Sequence, residues 1–384
     1  MTDDYHQKGN YSNYVPPGYP VRHRKKSPFK PEVSLGIEFQ RMIQDIRDLD
    51  RKIGEFVLSE SDYLKLVKEA YSSNIHWSTK IEGSPLTLDQ VRSLTTEFTN
   101  GKVRESRNGP TQEILNHLSF MFIGDNLAFP WTISTVCTVH GMLMRGVGQA
   151  TPGAIRTRPV SVCSADGTEY FIACPPSSVA EELDTLLQWL RSSPYDPVVS
   201  TAIFFHEFES IHPFEDGNGR TGRTLFHLLL QAYGLKHSSL CMIEEELVSD
   251  TETYYTLLAY TDAMGDYTHL VEFVIESLLR AYQRAYRTFE SKDRLRDFNH
   301  DVRSFAVQAK EMRDFTVADM IGWSKLGEKT VRSRLDILVE SEIIGKSGKT
   351  RAMRYVFLDP FRKLRAEVGG DLDRIINELE LDEK

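Results

Sequence analysis

Cysteine is scarce in this chain. Cys137, Cys163, Cys174 and Cys241 are scattered through 384 residues, and no two of them stand in a CxxC pair. That spacing excludes a disulfide framework and a zinc site of paired cysteines, so reduced, mostly buried thiols are expected. Long apolar runs are missing too: none approaches the roughly 18 residues of a membrane-spanning helix. The N-terminal stretch carries Tyr, Pro and charge but no apolar segment, so no secretory signal is expected. Positive net charge is absent, and the formal value of −9 argues against a protein that coats nucleic acid. Neither an internal repeat nor a low-complexity tract occurs. These absences point to a cytoplasmic globular protein with no membrane partner.

What is present is helical periodicity. Residues 1–31, with Tyr, Asn, Gly, Pro and the basic cluster Arg22-His23-Arg24-Lys25-Lys26, follow neither a 3.6-residue nor a two-residue period and read as an irregular arm. From Leu35, apolar residues recur at helical spacing (Ile37, Phe39, Met42, Ile43, Ile46, Leu49). A second helix begins near Ser59, which can cap it, and stops at Gly83. Residues 32–100 form this N-terminal helical region, 101–297 a helical core, and 298–384 a C-terminal domain and tail. The fold class is mainly α. One extended stretch interrupts it between Gly153 and Pro176: Val160-Ser161-Val162 and Tyr170-Phe171-Ile172 flank an Asp166-Gly167 turn, which predicts a β-hairpin. The last core helix is expected to run from about Leu270 to Asp297.

Chemistry concentrates in one segment, His212-Pro213-Phe214-Glu215-Asp216-Gly217-Asn218-Gly219-Arg220-Thr221-Gly222-Arg223. Apolar residues at helical spacing lie on both sides of it, so its glycine loop opens onto a helix N-terminus. There the first amide N–H groups lack intrahelical partners and the macrodipole adds partial positive charge, which favours anions. Gly217 and Gly219 let the backbone approach phosphate oxygens. Arg220 and Arg223, three apart, share a face and can fork onto phosphate. Asp216 offers a hard oxygen for Mg²⁺, and His212 has the intrinsic pKa of a general base. A metal reading of His206, Glu207 and His212 fails on spacing, and the Lys-Ser/Thr ending of a P-loop is absent.

The segment resembles the Fic-domain motif HPFx[D/E]GNGRxxR at every specified position. The likeness extends to the flanking helices, the hairpin as a flap, the N-terminal helical region and a winged-helix tail. The resemblance implies a protein adenylyltransferase that moves AMP from ATP to a Ser, Thr or Tyr hydroxyl of a target protein or of itself. It implies His212 as the base, Asp216 as the Mg²⁺ ligand, and a nucleotide site of Gly217, Asn218, Gly219, Arg220, Thr221, Gly222 and Arg223, with Phe214 anchoring the loop. The stretch Val160, Ser161, Val162 and Cys163 falls where the flap lies over the nucleotide, and Tyr254, Tyr255 and Asp262 where adenosine is contacted. Some relatives of this kind use other nucleotide donors.

Ser78-Thr79-Lys80-Ile81-Glu82-Gly83 also fits the family's inhibitory pattern [S/T]xxxE[G/N]. Ser78 and Glu82 are one turn apart if helical, so Glu82 is expected to pair with Arg223 where the γ-phosphate must go. The same glutamate could direct removal of AMP. Near the C-terminus, Thr316–Ile321 and Glu328–Glu340 read as helices separated by a turn from Trp323 to Gly327. The stretches 343–345 and 355–357 read as strands of a wing. Nine Lys and Arg against six acidic residues between Arg313 and Leu358 leave two partners open: DNA, as for a nucleotide-sensing regulator, or a protein surface, including a homodimer's.

Overall fold

The computed structural model describes residues 11, 13–25, 28–123, 129–148, 150–163, 167–293, 298–348 and 353–358. The expected hairpin turn at 164–166 and the tail at 359–384 lie outside these.

Helix α1 (Ile37–Glu55) is amphipathic and buries Phe39, Ile43, Ile46 and Ile53. It packs along α11 (Thr268–Glu290). Helix α2 (Glu60–Lys80) starts where the Ser59 hydroxyl accepts the Asp62 amide at 3.0 Å, and Gly83 at φ 89° turns the chain away. Helix α3 (Leu88–Thr99) opens on a Thr87/Gln90 capping box. Helices α4 (Gly109–Ile123) and α5 (Ile133–Met144) follow.

The hairpin comprises β2 (Ser161–Cys163) and β3 (Glu169–Ile172), paired antiparallel. The arm contributes to it. Strand β1 (Val21–Arg22) pairs parallel with β3, Val21 opposite Phe171, giving the order β1-β3-β2. Local pattern cannot show this pairing, because a two-residue strand has no period. Among the described residues, β2 is the edge strand with no partner on its far side.

Helices α6 (Val179–Arg191), α7 (Pro197–Ile211) and α8 (Asn218–Ala232) follow, α7 packing against both of the others. Nearly every side chain of α7 is buried. Phe204, Phe205 and Phe208 on it are each at most 1% exposed, and burial of one such ring is worth about 1.5–3 kcal/mol. Helix α9 (Ile243–Val248) and α10 (Thr251–Met264), which ends in the left-handed Gly265, lead into α11. That last core helix ends at Glu290 rather than Asp297.

A second, smaller core gathers α12 (His300–Met312), α13 (Val317–Ser324) and α14 (Glu328–Glu340) under a three-stranded sheet. Its strands β4 (Asp314–Phe315), β5 (Ile344–Ser347) and β6 (Arg354–Phe357) lie in the order β4-β6-β5. Val331, Leu335 and Leu338 point inward as their spacing predicts. Trp323, expected in a turn, sits in the last turn of α13, because Thr316 and Asp319 form a capping box that starts the helix and Lys325 caps it. The two cores meet where the Lys310 ammonium donates to the Gly54 carbonyl at 2.9 Å, at the end of α1. A cavity of about 330 Å³ lies at this junction, lined by Tyr63, Tyr71, Lys236 and Lys310 among others, remote from His212.

Candidate active site

Helix α7 stops because Pro213 cannot continue it. The residue before the proline, His212, takes a left-handed conformation (φ 53°, ψ 62°) as the helix cap. A non-glycine residue there stores about 1–3 kcal/mol of strain, and the surroundings hold it in place. Arg156, 2% exposed, donates from Nε to the His212 carbonyl at 2.7 Å and from Nη2 to Ile211 at 3.2 Å. The same guanidinium reaches the Arg158 and Cys174 carbonyls at the two ends of the hairpin. A cation against the carbonyl end of α7 complements the helix dipole, and it fixes hairpin and histidine to each other.

The His212 ring donates Nδ1–H to the Glu209 carbonyl at 3.0 Å. That tautomer leaves the lone pair on Nε2. Burial lowers the ring's pKa below its ordinary 6.5, the Glu209 carbonyl and the negative Glu82 working the other way. The neutral ring, able to take a proton, therefore prevails at neutral pH.

The loop that follows is stapled from inside. Asn218 accepts the Phe214 amide and donates to the Phe214 carbonyl, both at 2.8 Å. Its side chain therefore closes the loop, while its backbone forms part of the helix N-terminus. Phe214 is fully buried and stacks on His140 with centroids 3.7 Å apart. His140 accepts the Gly153 amide on Nδ1 and so donates Nε2–H to the Asp216 carbonyl, each at 2.9 Å. Burial pushes its pKa down to about 4, so it serves as a neutral strut. Gly217, at φ 81°, caps α8, and a Cβ there would meet Met144 Sδ at 2.5 Å.

The two arginines go different ways. Arg220 donates to Glu113 on α4 at 2.5 Å and to Oδ1 of the half-exposed Asp216, which also accepts the Gly217 amide at 2.6 Å. Arg223 donates from Nε to the Ser78 hydroxyl at 2.9 Å, and from Nη2 to the Ser78 carbonyl at 2.8 Å and Glu82 Oε1 at 2.7 Å. Burial opposes its charge, but Glu82, Tyr254 and Glu209 facing it hold its pKa above the ordinary value. Glu82 is not on the same helix turn as Ser78, because α2 ends at Lys80 and Glu82 lies in the turn after it. The carboxylate still reaches the loop. A Cβ on Gly219 would fall 2.1 Å from Glu82 Oε1, so this glycine leaves the space that the carboxylate fills.

Thr221 is fully buried and faces the interior, and Gly222 makes room for Glu209, whose Oε1 would lie 2.2 Å from a Cβ there. Ser161, Val162 and Cys163 are exposed on the hairpin, with Val160 half-buried beside them. Tyr254 is buried against Phe205, and Tyr255 is 46% exposed. Asp262 is buried, accepts the Ser210 hydroxyl at 2.6 Å and lies 3.5 Å from His206 Nε2. Its carboxylate thus belongs to a polar network behind α7.

Residues 130–230 match the Fic/DOC family. They are a Fic domain. Over 214 residues, 51% of this chain and 41% of the relative, the sequence is 31% identical to protein adenylyltransferase Fic of Drosophila erecta. Over 260 residues, 64% of this chain and 47% of the relative, it is 24% identical to protein adenylyltransferase fic-1 of Caenorhabditis elegans. The chain thus spans less than half the length of these curated relatives. A Fic family protein from Desulfovibrio desulfuricans G20 superposes with a TM-score of 0.57 at 26% identity, covering 86% of this chain and 98% of that one. Fic-1 from C. elegans shares the fold at 21% identity, with a TM-score of 0.50 over 66% of this chain and 74% of that one. The helical Fic fold with its small hairpin sheet is therefore established.

Four residues that shape the site carry no local sequence signal: His140, Arg156, Glu113 and Glu209. Burial raises the Glu209 carboxyl to about 8 against the pull of Arg223, and its Oε1 has no hydrogen-bond partner among the described residues. An acid with a raised folded pKa is protonated in the native protein and ionised once unfolded, so stability falls as pH climbs above the ordinary carboxylate range toward the folded value. Glu209→Gln removes that dependence. Its melting temperature relative to wild type, followed by calorimetry between about pH 5 and pH 8, is expected to improve steadily with pH. A constant difference would show the carboxyl ionised in the fold.

Proposed function

We propose that the chain is a protein adenylyltransferase that moves AMP from ATP to a Ser, Thr or Tyr hydroxyl of a target protein and of itself, and that Glu82 holds it largely inactive. The observation that carries this reading is the His212 tautomer. With Nδ1–H committed to the Glu209 carbonyl, Nε2 is the ring atom that takes the acceptor's proton, beside a glycine loop at the N-terminus of α8 that attracts phosphate.

The remaining roles follow from the chain's own groups. The loop amides of Gly217, Asn218 and Gly219 bind phosphate oxygens, and Thr221 and Gly222 shape the first turn behind them. Arg223 receives the distal phosphate once Glu82 leaves. Asp216 suits Mg²⁺: a carboxylate is a hard-oxygen donor, and bonds from Arg220 and Gly217 fix its orientation. The ion, when bound, supplies neutralisation of phosphate charge. Arg220, bound to both Glu113 and Asp216, acts as the carboxylate's positioning residue rather than as a second prong of a clamp. The open edge of β2, from Val160 to Cys163, suits alignment of a target chain by strand addition. Tyr254 and Tyr255 lie near Arg223 and Glu82, whereas Asp262 is buried, which speaks against an adenosine contact there. Such a site works by positioning and by donors preset for developing charge.

The smaller core is proposed as a winged-helix module, α13 and α14 being its helix pair and β5–β6 its wing. Among its described basic groups, Arg332 pairs with Glu328, Arg334 with Asp301, Lys346 with Asp336, and Arg354 with Asp314. Such pairing weakens the field that DNA phosphates need and favours a protein surface as its partner.

Incubation with ATP labelled at the α-phosphate, with and without magnesium, tests the central reading. Label should enter protein only with magnesium and should not enter from γ-labelled ATP. Transfer from the γ-position, or nucleotide binding without any transfer, would overturn it.

A further inference from the structure

Behind α7, four distant stretches of chain meet in a cluster that the nucleotide reaction does not use. His23 comes from the arm just after β1, Cys174 from the chain leaving the hairpin, Glu182 from α6 and Ser210 from α7. The ligating atoms His23 Nε2, Cys174 Sγ and a Glu182 carboxylate oxygen all lie within 4.8 Å of one another. Each is shielded from water: the His23 and Glu182 side chains are 1% and 8% exposed, and Cys174 is 1% exposed.

The hydrogen bonds fix what the imidazole offers. The Ser210 hydroxyl donates to Asp262 at 2.6 Å, so toward His23 Nδ1, 2.8 Å away, it can only accept. His23 must therefore carry a proton on Nδ1. Its Nε2 lone pair then faces Glu182 Oε2 at 2.7 Å, with the thiol 3.5 Å from the other carboxylate oxygen. Two acceptors at that distance share a proton, which a metal ion about 2.0–2.2 Å from each ligand atom can replace once the two side chains open slightly. Imidazole oriented by a hydrogen bond from its far nitrogen, joined by a thiolate and a carboxylate, is the ligand chemistry that zinc-like ions take, with a fourth position left for water.

We propose that His23, Cys174 and Glu182 form a binding site for a divalent zinc-like ion, with Ser210 and Asp262 as its supporting shell. Binding replaces the thiol proton and the proton shared between His23 and Glu182. The ion then joins the arm, the base of the hairpin, α6 and α7 at one point. Paired-cysteine spacing could not reveal such a site, because its three ligands are spread across 160 residues of sequence.

The test uses the untagged full chain. Zinc titrated against a chromophoric chelator should bind at about one ion per chain, and Co²⁺ should give a thiolate-to-metal charge-transfer band in the near ultraviolet. Cys174→Ser should remove the band, and His23→Gln should remove binding. Ser210→Ala, which keeps all three ligands, should weaken zinc affinity about 10–100-fold. A folded wild-type chain that binds no zinc against the chelator, or a cobalt complex without the thiolate band, would leave an imidazolium–carboxylate pair alone and overturn the proposal. Because the wild-type titration decides by itself, a variant that fails to fold does not obscure the result.

Discussion

Replacing Glu82 with glycine should raise AMP transfer, including self-modification, by about tenfold or more, equivalent to at least about 1.4 kcal/mol of released binding energy. Arg223 is the reason. Its guanidinium is 6% exposed, and the structure gives its Nε and Nη2 to Ser78 and Glu82. A buried cation needs a partner, and without Glu82 the available one is a phosphate oxygen. Glu82→Gln should give an intermediate rate, since it keeps the bulk over Gly219 but loses the charge. The measurement is initial rate of label incorporation at ATP well below saturation, with thermal melts as a fold control. Equal rates for wild type and Glu82→Gly would end the inhibitory reading while leaving the transferase reading intact. The glycine variant also unmasks the direction of the chemistry: if it removes AMP from a modified target more slowly than wild type does, Glu82 has a second role in hydrolysis.

The opposite extreme is His212→Ala, best made in the Glu82→Gly background, where there is activity to lose. A general base contributes about 10²–10⁴-fold, and transfer should fall by that much while nucleotide binding, followed by calorimetry, survives. The pH profile gives a second readout. Burial already holds the ring's pKa below 6.5, and the negative Glu82 is one of the influences raising it. Loss of Glu82 should therefore move the acidic limb of the rate profile to lower pH. The base is active when neutral, so the rate should be flat across neutral pH and decline only below that limb. A limb above the ordinary histidine value would mean that another group titrates.

The candidate segment was legible because its parts are contiguous. Pro213 ends one helix, Gly217 caps the next, and base, carboxylate and arginines fall within twelve residues of sequence. Ser59 and Gly83 marked the limits of α2 for equally local reasons, a side-chain cap and a left-handed turn. The alternation of Val331, Leu335 and Leu338 placed α14. What escaped was assembled across the chain. His140 and Arg156 look like any histidine or arginine in sequence, yet one supports Phe214 and the other ties His212 to the hairpin. The pairing of Val21 with Phe171 joins residues too few to show a period. For Arg220 and Arg223, spacing tells which side of a helix a residue is on and not which carboxylate waits there. Glu113, on α4, captures one and Glu82 the other.

The contact over Gly219 has a consequence for how this protein could be controlled. On the proposed reading Glu82 and the distal phosphate compete for the same guanidinium, so Glu82 would act as a tethered competitor whose strength is an effective concentration set by the turn after α2. Lengthening or loosening that turn dilutes the competitor without touching a single contact in the site. Any partner that grips α2 and draws its last residues away would thus act as an activator, and nucleotide abundance alone would set a graded, reversible threshold rather than a lock.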